Sequence, residues 1–328
     1  MAPAARGWLR LAQGLGGAAA SAAAFSGGRC SQPETASASH RDQSWPARGT
    51  PLALASARSC FCEPRPQSTA ATPAAGSCIT DWGNQKKAAD LELSYQRRDV
   101  VRQRAEMVEM LRPVPGERIL DIGCGPGFLV KELASAVGDA GHVEGLDPSS
   151  AMCSMAEARL QGLRNTSVRT GSAEELPYPD GSFDAVVLSQ VLLYVPDVPV
   201  ALAEANRVLR AGGRIIICDT DWNSLIVNTL DKQRFQRIFR ACTSTFVHPH
   251  LPPQLPGMLT KAGMPVTEAR TVPMVTAGHS VADSFMTKWA FTVVPEKSRA
   301  FGLPDSEIEA WLEEQKALDE AGAFFVCL

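Results

Sequence analysis

The stretch ERILDIGCGPGFL at residues 117–129 decides the fold of this 328-residue chain. An apolar run from Arg118 to Gly123 ends in glycine, and a helical pattern begins at Phe128. A strand that turns through glycines into a helix is the opening unit of a parallel α/β sheet. We expect a ligand at this turn, because glycines let it approach bare backbone beside a helix N-terminus.

Strand and helix patterns alternate on both sides of this stretch. A helix is predicted over Asn84–Leu111, before the first strand. The further predicted strands are His142–Asp147, Ser167–Gly171, Phe183–Ser189 and Arg214–Thr220, and the helices between them are Phe128–Val137, Met152–Leu163 and Val198–Leu209. This alternation predicts a parallel sheet with helices on both faces and with the loops after the strands at one edge.

The C-terminal third predicts additions to this sheet. A sixth strand is expected at Pro265–Val272, and a closing strand at Ala323–Leu328. Helical patterns at Ser280–Thr292 and Asp305–Glu320 lie between them. Such an insertion typically builds a cover over a substrate pocket.

The first 80 residues differ in composition from the rest. They contain seven arginines, no lysine and three acidic residues, and none of the acids precedes Glu34. Arg-rich, Ala/Ser-rich and acid-poor segments are typical of organellar transit peptides, mitochondrial or plastid. A disordered tail or a mistranslated upstream extension is the alternative, and the protein would then be cytoplasmic. We expect residues 1–78 to be a transit peptide and linker, and residues 79–328 to form the folded domain.

The overall composition excludes several classes of protein. Lys+Arg 32 against Asp+Glu 35 gives a net charge of −3, whereas nucleic-acid-binding domains usually carry a strong basic excess. No apolar run approaches the ~20 residues of a transmembrane helix. The nine cysteines lack metal-ligand spacing, so no metal site is expected. The composition and the scattered cysteines predict a soluble globular protein of a reducing compartment.

The glycine motif itself indicates which chemical class of ligand is expected. A nicotinamide dinucleotide fingerprint needs G-x-G-x-x-G, but Phe128 stands at the position of the third glycine. The motif is instead G-x-G-x-G, with Asp121 two residues before it. An acid there favours a cationic, amino-acid-like group over a pyrophosphate. Asp147 ends the second strand about 20 residues later, where a carboxylate can accept both hydroxyls of a ribose.

At these residues the sequence resembles the class I S-adenosylmethionine-dependent methyltransferases. The matching stretches are ERILDIGCGPGFL, HVEGLDPSSAM, TGSAEELPYPDGSFDAVVLSQVLLYV and EANRVLRAGGRIIICDTDW. They are most similar to the small-molecule branch that contains the ubiquinone and menaquinone methyltransferases. The resemblance implies a three-layer, Rossmann-like seven-stranded sheet with helical insertions near the C-terminus. It also implies a cofactor half at 84–222 and substrate-covering elements at 223–320.

The resemblance implies S-adenosyl-L-methionine as cofactor and a role for each matching residue. Gly123, Gly125 and Gly127 would pack against its methionine moiety, and Asp121 would bind its ammonium group. Asp147 would take the ribose hydroxyls. The remaining cofactor residues would be Pro148 and Met152 beside the adenine, Ser172 and Ala173 near its amino group, and Ser189 and Gln190 beneath the sulfonium. Met152 is equally consistent with a core side chain.

The substrate is expected above the fourth and fifth strands. Asp219, Asp221 and Trp222 follow the fifth strand and suggest a polar and aromatic wall. Either acid could act as a base or bind a cation, or it could cap a helix at Asn223–Asn228. His250 is a candidate base and His248 a substrate contact, with ordinary loop histidines as the alternative.

Three aromatic residues complete the predicted substrate site. Tyr194 begins the loop after the fourth strand, and Trp289 lies in the C-terminal insertion, where plain core packing is the alternative. Tyr95 would lie near the mouth, because the N-terminal helix of the family often covers the cofactor.

The expected reaction is an in-line displacement of an activated methyl group, for which the protein aligns the acceptor and excludes water. A quinone-precursor carbon, or a sulfur or nitrogen atom of a small metabolite, remain open as acceptors. Two other classes of protein agree less well with these residues. A nicotinamide-dependent oxidoreductase is disfavoured by Phe128, and a catalytically inactive scaffold would be expected to lose Asp147 or a motif glycine.

Overall fold

The computed structural model describes residues 92–278 and 284–328, and a five-stranded parallel sheet forms its centre. The strands are β1 (Arg118–Ile122), β2 (His142–Asp147), β3 (Thr166–Thr170), β4 (Phe183–Ser189) and β5 (Leu209–Cys218). Their order is β3-β2-β1-β4-β5, and every neighbouring pair is parallel. The order reverses between β1 and β4, which places the ligand crevice at the carboxyl ends of these two strands.

Helices cover both faces of this sheet. They are α1 (Arg98–Leu111), α2 (Phe128–Val137), α3 (Ser150–Leu160) and α4 (Val198–Val208), and α6 (Leu255–Lys261) joins them from later in the chain. One buried apolar cluster joins the sheet to α4 and α6, and a second joins it to α1, α2 and the end of α3. A parallel sheet needs such cover because its strands are apolar on both faces.

Local sequence sets where these helices begin and end. Asp197 caps α4, because its Oδ1 accepts the Val200 N–H at 3.1 Å. Gly138 ends α2 at φ +66°, a left-handed conformation in which its N–H donates to the carbonyl of Ala134. Helix ends fixed by such hydrogen bonds help to hold the neighbouring strand ends, and thus the crevice, in place.

The C-terminal part forms a second, smaller sheet. Its strands are β6 (Ile226–Val227), β7 (Val275–Ala277) and β8 (Phe325–Cys327), in the antiparallel order β6-β8-β7. The helices around it are α5 (Lys232–Thr243), α7 (Phe285–Lys288), a π-helical turn (Trp289–Val293), α8 (Val294–Ala300) and α9 (Asp305–Glu320). A third apolar cluster, rich in tryptophan and phenylalanine, fills this part.

The predicted central sheet is confirmed in type and position. The bounds of β2, β4, α2 and α9 agree with the prediction to the residue, and β1, β3, α3 and α4 differ by a few residues at their ends. Periodicity served well here because each of these strands is bounded by glycine, proline or a capping side chain. The predicted helix at 84–111 is described only from residue 92, as a helical turn at 92–95 followed by α1.

The seven-stranded sheet was wrong for the described part of the chain. Residues 265–272 form no strand and are mostly exposed, and their charged side chains pair with α1: Glu268 with Arg112 at 3.2 Å and Arg270 with Glu109 at 3.1 Å. A strand needs one buried face, and this segment has none. The predicted closing strand does form, as β8, but it pairs with β6 and β7.

Three helices of the described part, α5, α6 and α8, were not predicted, and three predicted segments lie wholly or partly outside the described residues. The expected helix at 223–228 is only a 3₁₀ turn at Trp222–Ser224, and α5 and α6 follow it. The Asp231 carboxylate caps α5 by accepting the Arg234 N–H at 2.9 Å, which is a sequence signal for this helix. The transit segment 1–78 and the first residues of the predicted helix at 280–292 are not among the described residues. Within the described ranges, no helix is both long and apolar enough to span a bilayer.

The burial of Trp289 yields the first prediction. Its side chain is 2% exposed and stacks on Trp222 with ring centroids 5.7 Å apart. Truncating a buried tryptophan removes packing and leaves a cavity, so Trp289→Ala should lower the free energy of unfolding by about 3–5 kcal/mol. Denaturant unfolding followed by circular dichroism measures this. Phe301→Ala, at a side chain 49% exposed in the same region, is the matched control, and equal effects in the two variants would contradict the packing role.

Candidate functional site

A glycine-lined turn joins β1 to α2 at the carboxyl edge of the sheet. Gly123, Gly125 and Gly127 have φ angles of +72°, +51° and +80°, which other residues rarely adopt. A Cβ at Gly127 would lie 2.9 Å from the Cβ of Ala156, and one at Gly123 would overlap the side chain of Val191. The turn therefore requires glycine for its conformation and for its close packing, and it presents bare backbone to the crevice.

Asp147, at the end of β2, is bound to this turn. Its Oδ2 accepts the Gly125 N–H at 2.9 Å, and its Oδ1 accepts the Ser149 N–H at 2.9 Å. Burial raises the pKa of this carboxyl, and the two backbone N–H donors oppose that shift. Each oxygen keeps acceptor capacity for a further donor, such as a hydroxyl of a bound ligand.

Asp121, two residues before the turn, is buried and has no partner in the described part of the chain. Its side chain is 1% exposed, and neither carboxylate oxygen has a hydrogen-bond partner among residues 92–278 and 284–328. Burial raises the pKa of Asp121 well above its ordinary value, and the nearby charge of Asp147 adds to the shift. A buried carboxylate without a partner is costly, and a cationic group placed beside it would remove that cost.

An aromatic and cationic stack covers the turn. Tyr95 lies parallel to Phe128 with ring centroids 5.6 Å apart, and the guanidinium of Arg159 lies 3.6 Å from the Phe128 centroid. Arg104 donates to the carbonyl of Tyr95 at 2.6 Å, and Arg159 pairs with Glu92 at 2.5 Å. The Tyr95 hydroxyl lies 3.1 Å from where a Cβ of Gly125 would be. Tyr95 was expected at the mouth with the substrate residues, and the structure places its hydroxyl against the glycine turn.

The other predicted cofactor residues lie after β2, β3 and β4. Met152 is buried in the first turn of α3, and Pro148 is exposed. Ser172 is exposed, and its Oγ accepts the Glu174 N–H at 3.2 Å, while Ala173 next to it is buried. Their roles remain predictions.

Strained backbone marks the end of β4. Gln190, next to Ser189, is one of two non-glycine residues with positive φ in the described part, at +58°. Its N–H donates to the carbonyl of Cys218 at 2.7 Å, and its Oε1 accepts the Thr220 hydroxyl at 2.9 Å. Such conformations cost free energy and occur preferentially at functional sites. They are held here by bonds to the end of β5.

Asp219 joins the same edge from β5. Its Oδ2 accepts the Leu192 N–H at 3.1 Å, and its buried Oδ1 has no partner within the described ranges. Burial raises the pKa of Asp219 to about 7, against the opposing effect of the backbone N–H donors. A carboxyl with this pKa can accept a proton near neutral pH.

Asp221 and His250, predicted independently, are brought together. The Nδ1 of His250 lies 3.3 Å from Oδ1 of Asp221. Asp221 also accepts the Asn223 N–H at 3.0 Å, so it caps the 3₁₀ turn as the alternative interpretation expected. The 248–250 loop is fixed by two backbone bonds: the N–H of His248 to Leu193 and the N–H of Trp222 to Pro249, both at 3.0 Å.

Two of the predicted aromatic substrate residues, Tyr194 and Trp222, contact Phe246, which the sequence interpretation missed. Phe246 stacks on Trp222 with centroids 5.0 Å apart and lies 5.6 Å from the ring of Tyr194. Trp289 also stacks on Trp222. Trp222 and Trp289 are almost fully buried, so they form the rigid base behind the site. Phe246 lies two residues before His248, and this closeness in sequence to the candidate histidines could have indicated that it belongs to the same site.

Comparisons with known proteins agree with this geometry. Residues 120–217, which include the glycine turn, Asp121, Asp147 and Gln190, match the family model described as a methyltransferase domain. A 37.1 kDa protein in transposon TN4556 of Streptomyces fradiae is 34% identical over 224 residues, 68% of this chain and 63% of that protein.

Two relatives have descriptive names. A 2-phytyl-1,4-naphtoquinone methyltransferase of Synechococcus elongatus is 44% identical over 108 residues, 32% of this chain and 46% of that protein. An aklanonic acid methyltransferase of Streptomyces sp. (strain C5) is 36% identical over 155 residues, 47% of this chain and 63% of that protein. The chain thus spans less than two thirds of the length of each of these three relatives.

The isolated carboxylate of Asp121 yields the second prediction. Because its pKa is raised in the folded state, the carboxyl favours folding at pH values where it is protonated and disfavours folding once it ionises. Asp121→Asn should therefore raise the stability of the cofactor-free protein at pH 7–8 by about 1 kcal/mol or more, or about 2–4 °C in Tm. Thermal unfolding between pH 4 and 8 measures this.

The pH dependence and a control make the test specific. The gain in Asp121→Asn should shrink as the pH falls toward about 4, where an unfolded aspartate is itself protonated. Asp139→Asn removes an exposed carboxylate and should leave Tm unchanged within about 1 °C at every pH. A destabilised Asp121→Asn variant at neutral pH would show that the carboxylate has a partner in the folded protein.

Proposed function

We propose that this chain, which carries a class I S-adenosylmethionine-dependent methyltransferase domain, transfers a methyl group from S-adenosylmethionine to a small-molecule acceptor. The observation that carries the proposal is the pair of buried carboxylates beside the glycine turn. One, Asp121, lacks any partner in the described part, and the other, Asp147, is held by backbone N–H groups with acceptor capacity to spare. An amino acid joined to a ribose presents a cation and two hydroxyls, which match these two acids.

The residues present fit such a cofactor. Asp121 would bind the ammonium group, and the bare backbone at Gly123 and Gly125 would accept the methionine portion. Asp147 would take the ribose hydroxyls, with Pro148, Met152, Ser172 and Ala173 nearest the base. Tyr95 would close the turn from above and exclude water. When bound, the cofactor supplies a methyl group already activated by a sulfonium.

The remaining chemistry falls to residues at the ends of β4 and β5. Ser189 and Gln190 would lie beneath the sulfonium and face the acceptor, and the bonds of Gln190 to Cys218 and Thr220 fix its position. An acceptor with a proton to lose needs a base within hydrogen-bond reach. Two groups are suited: His250, oriented by Asp221, and Asp219, whose Oδ1 has no partner in the described part.

The acceptor class is supported by the relatives. One is named as a methyltransferase of 2-phytyl-1,4-naphtoquinone and another as a methyltransferase of aklanonic acid. A small cyclic or aromatic acceptor also suits a site with Tyr194, His248 and Phe246 around it, backed by Trp222 and Trp289. A protein or nucleic acid acceptor has no support in the charge of the chain.

We further propose that residues 1–78 direct the protein to an organelle and are not required by the domain at 79–328. The support is their arginine-rich, acid-poor composition. A fluorescent fusion of the full chain should reach mitochondria or plastids, and one lacking residues 1–78 should remain cytoplasmic. Equal distribution of both fusions would contradict the targeting role.

Cofactor binding gives the third prediction. S-adenosylhomocysteine should bind the full chain in calorimetry, and NAD should not. Asp147→Ala should abolish this binding, because it removes both the ribose acceptor and the bonds that hold the turn. Asp139→Ala removes an exposed acid from the same half of the domain and should bind as wild type. Normal binding by Asp147→Ala, or binding of NAD in place of S-adenosylhomocysteine, would contradict the assignment.

The fourth prediction concerns the base. With methyl-labelled cofactor and a small-metabolite extract, Asp221→Ala should bind S-adenosylhomocysteine normally and transfer label about 10²-fold more slowly or worse. Loss of binding by Asp221→Ala would instead place that residue in the cofactor site.

A pH profile distinguishes the two candidate bases. If Asp219 accepts the proton, transfer should rise as the pH passes through about 7, where its carboxyl ionises, and Asp219→Asn should remove that rise. A profile unchanged in Asp219→Asn but altered in His250→Ala would assign the base to the histidine.

A further inference from the structure

An open cleft of about 360 Å³ adjoins the proposed acceptor site. It lies between α5 and the 248–250 loop, and the residues that line it are Gln236, Phe239, Arg240, Thr243 and His250. His250 connects the cleft to the end of β5 through its contact with Asp221. A ligand in this cleft would thus reach one of the candidate bases.

One face of α5 forms the wall of the cleft. Residues 236, 239, 240 and 243 are spaced by three or four positions and so lie on the same side of the helix. The opposite side is buried through Ile238, Ala241 and Cys242. This packing fixes the wall, so its side chains present a preformed surface.

Arg240 is the arginine of this wall, and it forms no ion pair within the described ranges. Two other arginines of α5 are neutralised: Arg234 pairs with Glu314 at 3.3 Å and Arg237 with Glu307 at 2.8 Å. Arg240 is exposed and has no carboxylate within ion-pair distance in residues 92–278 and 284–328. A guanidinium without a partner beside a cleft suits a carboxylate, which it can bind through two hydrogen bonds.

Arg240 lies in the last turn of α5, where the helix dipole presents partial negative charge. That field repels an anion unless the guanidinium is present. Any anion bound here therefore depends on this single side chain, which makes its removal a decisive test.

The other end of the cleft offers a different contact. Because Nδ1 of His250 faces the carboxylate of Asp221, its Nε2 is the ring nitrogen left for a ligand. A neutral imidazole that donates a hydrogen bond through Nδ1 can accept one at Nε2 from a hydroxyl or amino group. The half-buried ring of Phe239 lies in the same wall and can pack against a planar ligand.

We propose that this cleft binds the methyl acceptor, and that the acceptor is an aromatic acid with a hydroxyl or amino group. Arg240 binds its carboxylate, Phe239 packs on its ring, and His250 accepts a hydrogen bond from its hydroxyl or amino group. This inference rests on the proposed function, since it names the substrate class for the same site.

Binding of 3-hydroxybenzoate to the full chain, followed by NMR titration, tests the inference. The wild type should bind 3-hydroxybenzoate about tenfold or more tightly than 3-hydroxybenzamide, which lacks the charge, and more tightly than benzoate, which lacks the hydroxyl. Arg240→Gln should weaken binding of the acid about tenfold or more and remove the preference over the amide. His250→Ala should remove the preference over benzoate.

Lys232→Gln is the matched control, because it removes an equal charge from an exposed position at the other end of α5. It should change the affinity less than about twofold. Wild-type affinity in Arg240→Gln, an equal loss in Lys232→Gln, or no binding by the wild type at about 10 mM would overturn the proposal. S-adenosylhomocysteine titrated into the same samples separates the outcomes: if it binds and the acid does not, only the cleft assignment fails.

Discussion

An unpartnered buried carboxylate is the constraint on which the rest of this structure depends. Asp121 lies at the end of β1 with both oxygens shielded from water and without a partner in the described part of the chain. A charge in such a position lowers the stability of the protein. A ligand that brings the opposite charge would offset this loss. The glycine turn next to it leaves room for that ligand, and Asp147 holds the turn in place.

The same site links the two parts of the described chain. Residues 92–99 cover the glycine turn through Tyr95, and they also contact the C-terminal helices. Asp99 accepts the backbone N–H of Phe285 at 2.9 Å, and Lys288 donates to Ser94 at 2.9 Å. The glycine turn is thus connected through one short segment to the C-terminal helices.

The sequence predicted the central sheet and its ligand edge because these follow from local rules. Strands β1 to β5 alternate with helices except between β3 and β4, and the glycines, Asp121 and Asp147 stand at fixed positions relative to those strands. The proximity of Asp221 and His250 was not predictable in the same way, because 29 residues and α5 separate them. Each was named for its chemistry, and only the folded chain showed that they touch.

Other structural features could not be predicted from the sequence, because they depend on which side chains pair with each other and which are exposed in the folded protein. The segment 265–272 was predicted as a strand, but its charged side chains pair with α1 and with Arg112 directly after it, partners that the sequence pattern does not show. The freedom of Arg240 is visible only once the partners of Arg234 and Arg237 are known. Trp289 was a candidate for the substrate wall, and its stacking on Trp222 shows that most of its surface serves the core.

A crystal structure grown with S-adenosylhomocysteine tests the central claim most directly. We expect its ammonium group within hydrogen-bond distance of the Asp121 carboxylate and both ribose hydroxyls on Asp147. A complex in which the ligand binds elsewhere, or in which Asp121 is neutralised by a side chain of the protein itself, would contradict the account.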